Sequence, residues 1–173
     1  MSPPCEYTPA PSPVSALMSG VMVTAGVFGV LRVIIGVLGS GPIWWALLLL
    51  GLGALSAVLG ALYAFVEKDL KRLLAFSTIE NVGIMFMGLG IAMLGGSAGL
   101  PAIAALGAGA TLIHMLNHAT FKGLLFLVAG SSNAATGTRD LDRLGGLART
   151  MPVTAMLFGV GALSMAGVPP FSG

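Results

Sequence analysis

The stretch IAALGAGATLIHMLNHATFKGLLFLVA, residues 103–129, decides the fold predicted for this chain. It is long and apolar enough to cross the roughly 30 Å hydrocarbon core of a bilayer as an α-helix. Its titratable side chains are His114, His118 and Lys122. On a helix, a step of four residues advances about 400°, so the three fall within an arc of about 80° and climb about 12 Å along one face. Such groups are costly inside a membrane, which makes this set, named here the His–Lys row, a candidate functional site.

The composition of the whole chain also indicates a membrane protein. Of its 173 residues, 56% are hydrophobic and 8% are charged, and the mean hydropathy is +0.98. A soluble domain carries about a quarter charged residues, so this chain has too little polar surface to cover a water-soluble globule. The net charge is +2, and no cluster of lysine and arginine resembles a nucleic-acid-binding face. The 26 glycines suit closely packed transmembrane helices.

The cysteine and histidine content argues against bound redox groups. Cys5 is the single cysteine, and the sequence contains no CxxC, CxxCH or HExxH motif. Haem, iron–sulfur and zinc sites therefore lack their usual ligands. We expect no cofactor, no metal and no catalytic residue in this chain. If it belongs to a redox system, the electrons pass through other proteins.

Hydropathy and turn residues predict an all-α, polytopic transmembrane helix bundle of about five spans. Five prolines within the first thirteen residues mark a Pro-rich segment, 1–13, ahead of a transmembrane domain, 14–173. The fifth span is interrupted at Pro169-Pro170, which predicts either a broken helix or a simple helix end. The predicted spans are Val14–Leu38, Ile43–Val66, Leu73–Leu94, Ile103–Ala129 and a last helix that begins at Pro152.

The distribution of basic residues predicts the orientation of these spans. Loops 67–72 and 131–150 each contain three lysines or arginines, whereas the turns at 39–42 and 95–102 contain none. Five spans place both basic loops and the N-terminus on one side of the membrane. By the positive-inside rule, that side is the cytoplasm.

Each intramembrane polar residue has a functional and a structural interpretation. Histidine exchanges protons near neutral pH, so the row is suited to relaying protons. Alternatively, Lys122 extends to the lipid headgroups, and His114 and His118 hydrogen-bond between packed helices. Glu80, in the third span, either balances Lys122 or a charge on another subunit, or is an interfacial carboxylate with access to water. We include Glu80 with the row as a candidate proton pathway.

Several stretches, in order along the chain, together resemble the large antiporter-like membrane subunits of complex I and of membrane-bound hydrogenases. The segment IENVG within the second stretch is most similar to component B of hydrogenase-4 and the corresponding formate hydrogenlyase subunit. The stretches are PSPVSALMSG (11–20), EKDLKRLLAFSTIENVG (67–83), HMLNHATFKGLLFL (114–127), RDLDRLGGLA (139–148) and GVPPFSG (167–173).

The resemblance implies a fold with two inverted repeats of five helices, each containing a broken helix. It also implies that His114, His118 and Lys122 belong to a central hydrophilic axis that transfers protons. One departure is Thr24, since hydrogenase-type relatives often have a lysine in that helix. We expect this chain to be incomplete at both ends, with other charged residues of the axis outside it.

The function implied is proton translocation by a subunit of a hydrogenase-4, formate hydrogenlyase or NADH:quinone oxidoreductase-like complex in a bacterial or archaeal plasma membrane. Electron transport would take place in partner membrane subunits of that assembly. Two alternatives stay open: a cation/proton antiporter subunit without a redox partner, or a structural membrane scaffold. The sequence also leaves open whether the transported ion is a proton or sodium.

Overall fold

A computed structural model of the chain describes residues 11–169, and every regular element in that range is a helix. The first helix contains two π-helical segments, Met18–Met22 and Ile34–Leu38. The helices are α1, Ser12–Leu38; α2, Ile43–Val66; α3, Leu70–Ser97; α4, Pro101–Thr136; α5, Leu147–Thr150; and α6, Pro152–Met165.

Helices α1 to α4 are long and apolar enough to cross a membrane, and α6 is a shorter apolar helix. This architecture confirms the predicted all-α polytopic bundle. The 14 residues of α6 span about 21 Å, less than the hydrocarbon core. Helix α6 ends at Met165, before Pro169, and Pro170 lies outside the described residues, so the break stays a prediction. Residues 1–10 of the Pro-rich segment also lie outside the described range.

The second span has the predicted bounds, but three other helices begin earlier or end later than predicted. Helix α1 begins at Ser12 because proline is tolerated in a first helical turn. Helix α3 begins at Leu70, where the Asp69 carboxylate caps it by accepting hydrogen bonds from two backbone amides. Helix α4 continues through the first part of the predicted loop 131–150. It ends at Gly137, whose φ of 69° is left-handed and suits glycine.

Glycines bring α2 and α3 into backbone contact. A Cβ atom on Gly83 of α3 would lie 2.5 Å from the Gly53 carbonyl oxygen and 2.6 Å from the Ala57 nitrogen of α2. A Cβ on Gly60 would lie 2.5 Å from the Glu80 nitrogen. No side chain larger than hydrogen fits at these positions, so the two helices pack as closely as helices can in a membrane.

Helix α4 packs on the other side of α3 and also contacts α1 and α6. A Cβ on Gly107 of α4 would lie 2.5 Å from the Ala92 nitrogen of α3. Thr111, fully buried, donates to the Met85 carbonyl of α3 at 3.3 Å. At the other end of α4, Gly130 faces Ser12 of α1. Helix α3 therefore lies between α2 and α4, with close glycine contacts on both faces.

The loop before α3 is joined to the loop after α4 by backbone and side-chain bonds. The Leu70 amide donates to the Arg139 carbonyl at 3.0 Å, and the Leu141 amide donates to the Lys68 carbonyl at 2.9 Å. Arg139 also pairs with Asp69 at 3.5 Å, and exposed Lys68 pairs with Asp142. We name this set of contacts the loop clasp. It places the two basic loops at one end of the bundle, together with the start of α1.

Candidate functional site: a buried polar row between α3 and α4

Lys122 lies inside the bundle. Its side chain is 0% exposed, and its ammonium donates to the Leu74 carbonyl of α3 at 3.1 Å and to the Ser77 hydroxyl. The Met165 sulfur, at the end of α6, is 3.8 Å from Nζ. The Lys122 nitrogen therefore lies among acceptors of α3, close to the end of α6.

His114 is joined to α3 by Asn81. Its Nε2 lies 3.0 Å from the Asn81 Oδ1, and the Asn81 amide donates to the Ser77 carbonyl at 2.6 Å. Because the Ser77 hydroxyl accepts from Lys122, both ends of the His–Lys row are bonded to the same short segment of α3. Asn81 and Ser77 are themselves buried.

His118, in the middle of the row, has a different environment. The side chain is 0% exposed, and neither ring nitrogen has a hydrogen-bond partner among the described residues. Its ring packs edge-on against Phe121, with centroids 5.5 Å apart and an interplanar angle of 81°. A buried imidazole without a protein partner is unfavourable for stability, which makes His118 a candidate for a functional role.

Glu80 does not join the row by direct contact. It is half-buried on α3, and its backbone lies against Gly60 of α2. The described residues contain no direct ion pair between Glu80 and Lys122.

Helix α1 covers the row through its first π-helical segment. Gly20 faces the backbone of Ala119, next to His118. The Ser19 hydroxyl bonds Thr78 of α3 at 2.7 Å. Thr24, the departure that the resemblance pointed out, is buried and donates to the Gly20 carbonyl of its own helix at 2.6 Å. Its hydroxyl is satisfied locally and makes no bond to the row.

The row becomes less buried towards His114. An open groove of about 460 Å³ lies along α3 and α4, lined by Thr111, His114 and Asn117 together with apolar side chains. His114 is half-buried, whereas His118 and Lys122 are fully buried. The row therefore runs from the wall of this groove into the bundle. Within residues 11–169, no three His, Cys, Asp or Glu side chains are grouped as metal ligands would be.

Sequence reasoning identified the row but missed its partners on α3. Ser77 and Asn81 are four residues apart in a predicted span, the same spacing as the members of the row. That spacing, on a helix adjacent in sequence, was the available signal. Serine and asparagine occur so commonly in helix packing that their residue types alone did not distinguish them.

Comparison with known proteins identifies the family. The model for the transmembrane family of NADH:quinone oxidoreductase and Mrp antiporter proteins matches residues 4–173. The chain is 48% identical to hydrogenase-4 component B of Escherichia coli, covering 98% of this chain and 26% of that protein. It is 43% identical to formate hydrogenlyase subunit 3 of the same organism, over 98% of this chain and 28% of that one. It is 44% identical to a Na(+)/H(+) antiporter subunit of Alkalihalophilus pseudofirmus, covering 95% of this chain and 21% of that subunit.

All three relatives are named as components or subunits of larger assemblies. The chain spans about a quarter of the length of these curated relatives. It belongs to the NADH:quinone oxidoreductase/Mrp antiporter transmembrane family.

Proposed function

We propose that this member of the NADH:quinone oxidoreductase/Mrp antiporter family contributes a segment of a proton path to a hydrogenase-4 or formate hydrogenlyase type of membrane complex. The observation that carries the proposal is the environment of Lys122, which is fully buried and bonded to a hydroxyl and a carbonyl. A lysine within a membrane span marks a functional site by default. His114 and His118, on the same helix face, extend this site from Lys122 towards the groove.

The residues of the row have complementary roles in this proposal. Imidazole takes up a proton at one ring nitrogen and releases one from the other, so His114 and His118 can pass a proton along the helix. Lys122 carries the proton at the buried end, where Leu74 and Ser77 accept hydrogen bonds from its ammonium. Glu80 balances the charge of Lys122 in this proposal, although the two form no direct ion pair. Electron transport in partner subunits would drive the transfer by changing charges along the path.

We further propose that the loop clasp faces the cytoplasm of a bacterial or archaeal cell. The clasp brings the basic loops together, and Ser12 lies at the same end of the bundle, beside Gly130. Short basic loops are retained on the cytoplasmic side.

A chimera tests the proton path. Residues 4–173 replace the matching quarter of Escherichia coli formate hydrogenlyase subunit 3, and proton movement per hydrogen formed is measured in inverted membrane vesicles supplied with formate. Lys122→Ala is expected to lower proton movement about 100-fold, the scale on which removal of an acid–base group acts. Lys68→Ala, at an exposed lysine, is the matched control. Unchanged proton movement in Lys122→Ala, or none in the unsubstituted chimera, would overturn the proposal.

The similarity to a Na(+)/H(+) antiporter subunit favours one second candidate, cation/proton exchange without a redox partner. In that case the chimera would collapse an imposed pH gradient when sodium is added, without formate. Sodium-independent, formate-dependent translocation supports the first function. The scaffold alternative predicts instead that Lys122→Met lowers the amount of assembled complex and leaves transport per complex unchanged.

A further inference from the structure

The orientation of the Asn81 side-chain amide is fixed by its neighbours. One end of the amide lies 2.6 Å from the Ser77 carbonyl oxygen, which can only accept a hydrogen bond. The amide nitrogen must therefore occupy that end. The amide oxygen then faces the Nε2 of His114, at 3.0 Å. Asn81 is 4% exposed, so bulk water does not compete for either bond.

This orientation determines which nitrogen of His114 carries the proton. An amide oxygen only accepts, so the Nε2 of His114 must donate. A neutral imidazole has a single N–H, and the hydrogen bond made by one nitrogen sets the state of the other. With its proton on Nε2, neutral His114 has its basic lone pair on Nδ1.

The Asn81 amide oxygen, which accepts from His114, has helix contacts on both sides. Ser77 lies one turn away on α3 and is bonded to Lys122. In the other direction, Thr111 of α4 is bonded to the Met85 carbonyl of α3. Contacts between α3 and α4 therefore lie on each side of the bond between Asn81 and His114 and support its geometry.

We propose that Asn81 is a positioning residue that holds His114 in the Nε2–H tautomer, so that His114 exchanges protons through Nδ1. An amide is not an acid or base near neutral pH, so the bonds through Asn81 and Ser77 are not a second proton route past His118. They fix the two ends of the row and leave proton transfer to the imidazoles. The functional consequence rests on the proposed proton path, whereas the tautomer is inferred from the bond between Asn81 and His114.

The tautomer can be measured because the chain has two histidines, so a ¹⁵N-histidine spectrum contains the signals of two rings. The full chain, labelled with ¹⁵N-histidine and reconstituted in lipid bilayers, is examined by solid-state NMR at a pH where imidazoles are neutral. His118→Phe assigns the two rings. We expect His114 to show a pyridine-type signal at Nδ1 and a pyrrole-type signal at Nε2. A pyrrole-type Nδ1 in the unsubstituted chain, or a mixture, would overturn the proposal even if variants fail to fold.

Two variants separate positioning from packing. Asn81→Leu has a similar volume and no amide, so His114 should become a mixture of tautomers and proton movement in the chimera should fall on the order of tenfold, as when a partner that orients a functional histidine is removed. Thr120→Val removes an exposed hydroxyl that bonds within α4 alone, and it should change neither the His114 spectrum nor proton movement. An unaltered His114 spectrum or undiminished proton movement in Asn81→Leu, or equal changes in Thr120→Val, would contradict the proposal.

The two proposals fail independently. Loss of translocation in Lys122→Ala together with the wrong His114 tautomer would refute the role of Asn81 and support the proton path. The predicted tautomer together with normal translocation in Lys122→Ala would refute the path and support the geometry.

Discussion

Both faces of α3 have close glycine contacts, but only the face towards α4 bonds to the His–Lys row. Towards α2, Gly83 brings the helix backbones into contact near Gly53. Towards α4, Ser77 and Asn81 bond to members of the His–Lys row. A close-packed face leaves a helix little freedom to shift or rotate, whereas a polar site needs its groups held at hydrogen-bond distances. The glycine face of α3 therefore acts as the rigid support for the polar face behind it.

The largest effect on the free energy of unfolding should come from breaking the glycine face. Gly83→Val places a branched side chain against the α2 backbone, which cannot move aside as a side chain would. We expect a destabilisation of about 3 kcal/mol, at the upper end for overpacking, measured by SDS titration in mixed micelles. Gly51→Val, at a position on α2 with open space around it, is the control. Equal stability of the two variants would show that the close contact is not essential.

A smaller loss should follow from weakening the polar face. Ser77→Ala removes one of the acceptors of the Lys122 ammonium, and hydrogen bonds to charged groups contribute about 1.5 kcal/mol or more. The same titration should report that loss. Ser97→Ala removes a hydroxyl that bonds within α3 alone and should have little effect. If both variants unfold alike, Ser77 does not stabilise the buried lysine.

The third prediction separates function from stability. His118→Leu replaces a buried ring without hydrogen-bond partners by an apolar side chain, so stability should stay the same or rise by about 1 kcal/mol. Proton movement in the chimera should nevertheless fall to background. A clear destabilisation would mean that the His118 ring is stabilised by interactions that the structure does not contain.

The smallest effect is expected at the loop clasp. Asp142 raises the pKa of Lys68 above its ordinary 10.5, by a hydrogen bond first and by charge second. A raised folded-state pKa stabilises the protein below the ordinary value and loses that effect as the pH rises through the higher one. The side chain is fully exposed, so the contribution is small. Unfolding of the unsubstituted chain should show slightly more loss of stability above pH 10.5 than Lys68→Met does, and identical pH profiles would refute the pairing.

The spans and the row were predictable because each depends on a regular repeat along the chain. The bounds of α2 were predicted fully, since Pro42 and Glu67 enclose an uninterrupted apolar run. The extension of α4 to Thr136 was not predicted, because the residues after Ala129 are polar and resemble a loop. The helix continues through them and stops before the left-handed Gly137.

The partners of the row depended on tertiary structure. Asn81 meets His114 only through the register of α3 against α4, which glycines and a threonine bond set across many residues. Likewise, the loops that contain Asp69 and Arg139 were used only to predict orientation. The pairing of these two residues required the two distant loops to meet. Local sequence contains neither fact, because both arise from packing between helices.

The backbone bridge between Asp69 and Asp140 has a consequence for biogenesis. It joins the residue that precedes α3 to a residue beyond α4, so everything between the two ends forms one closed helical hairpin. The bridge cannot form while either helix is still leaving the ribosome or the translocation channel. It can therefore close only after both helices of the hairpin have been synthesised.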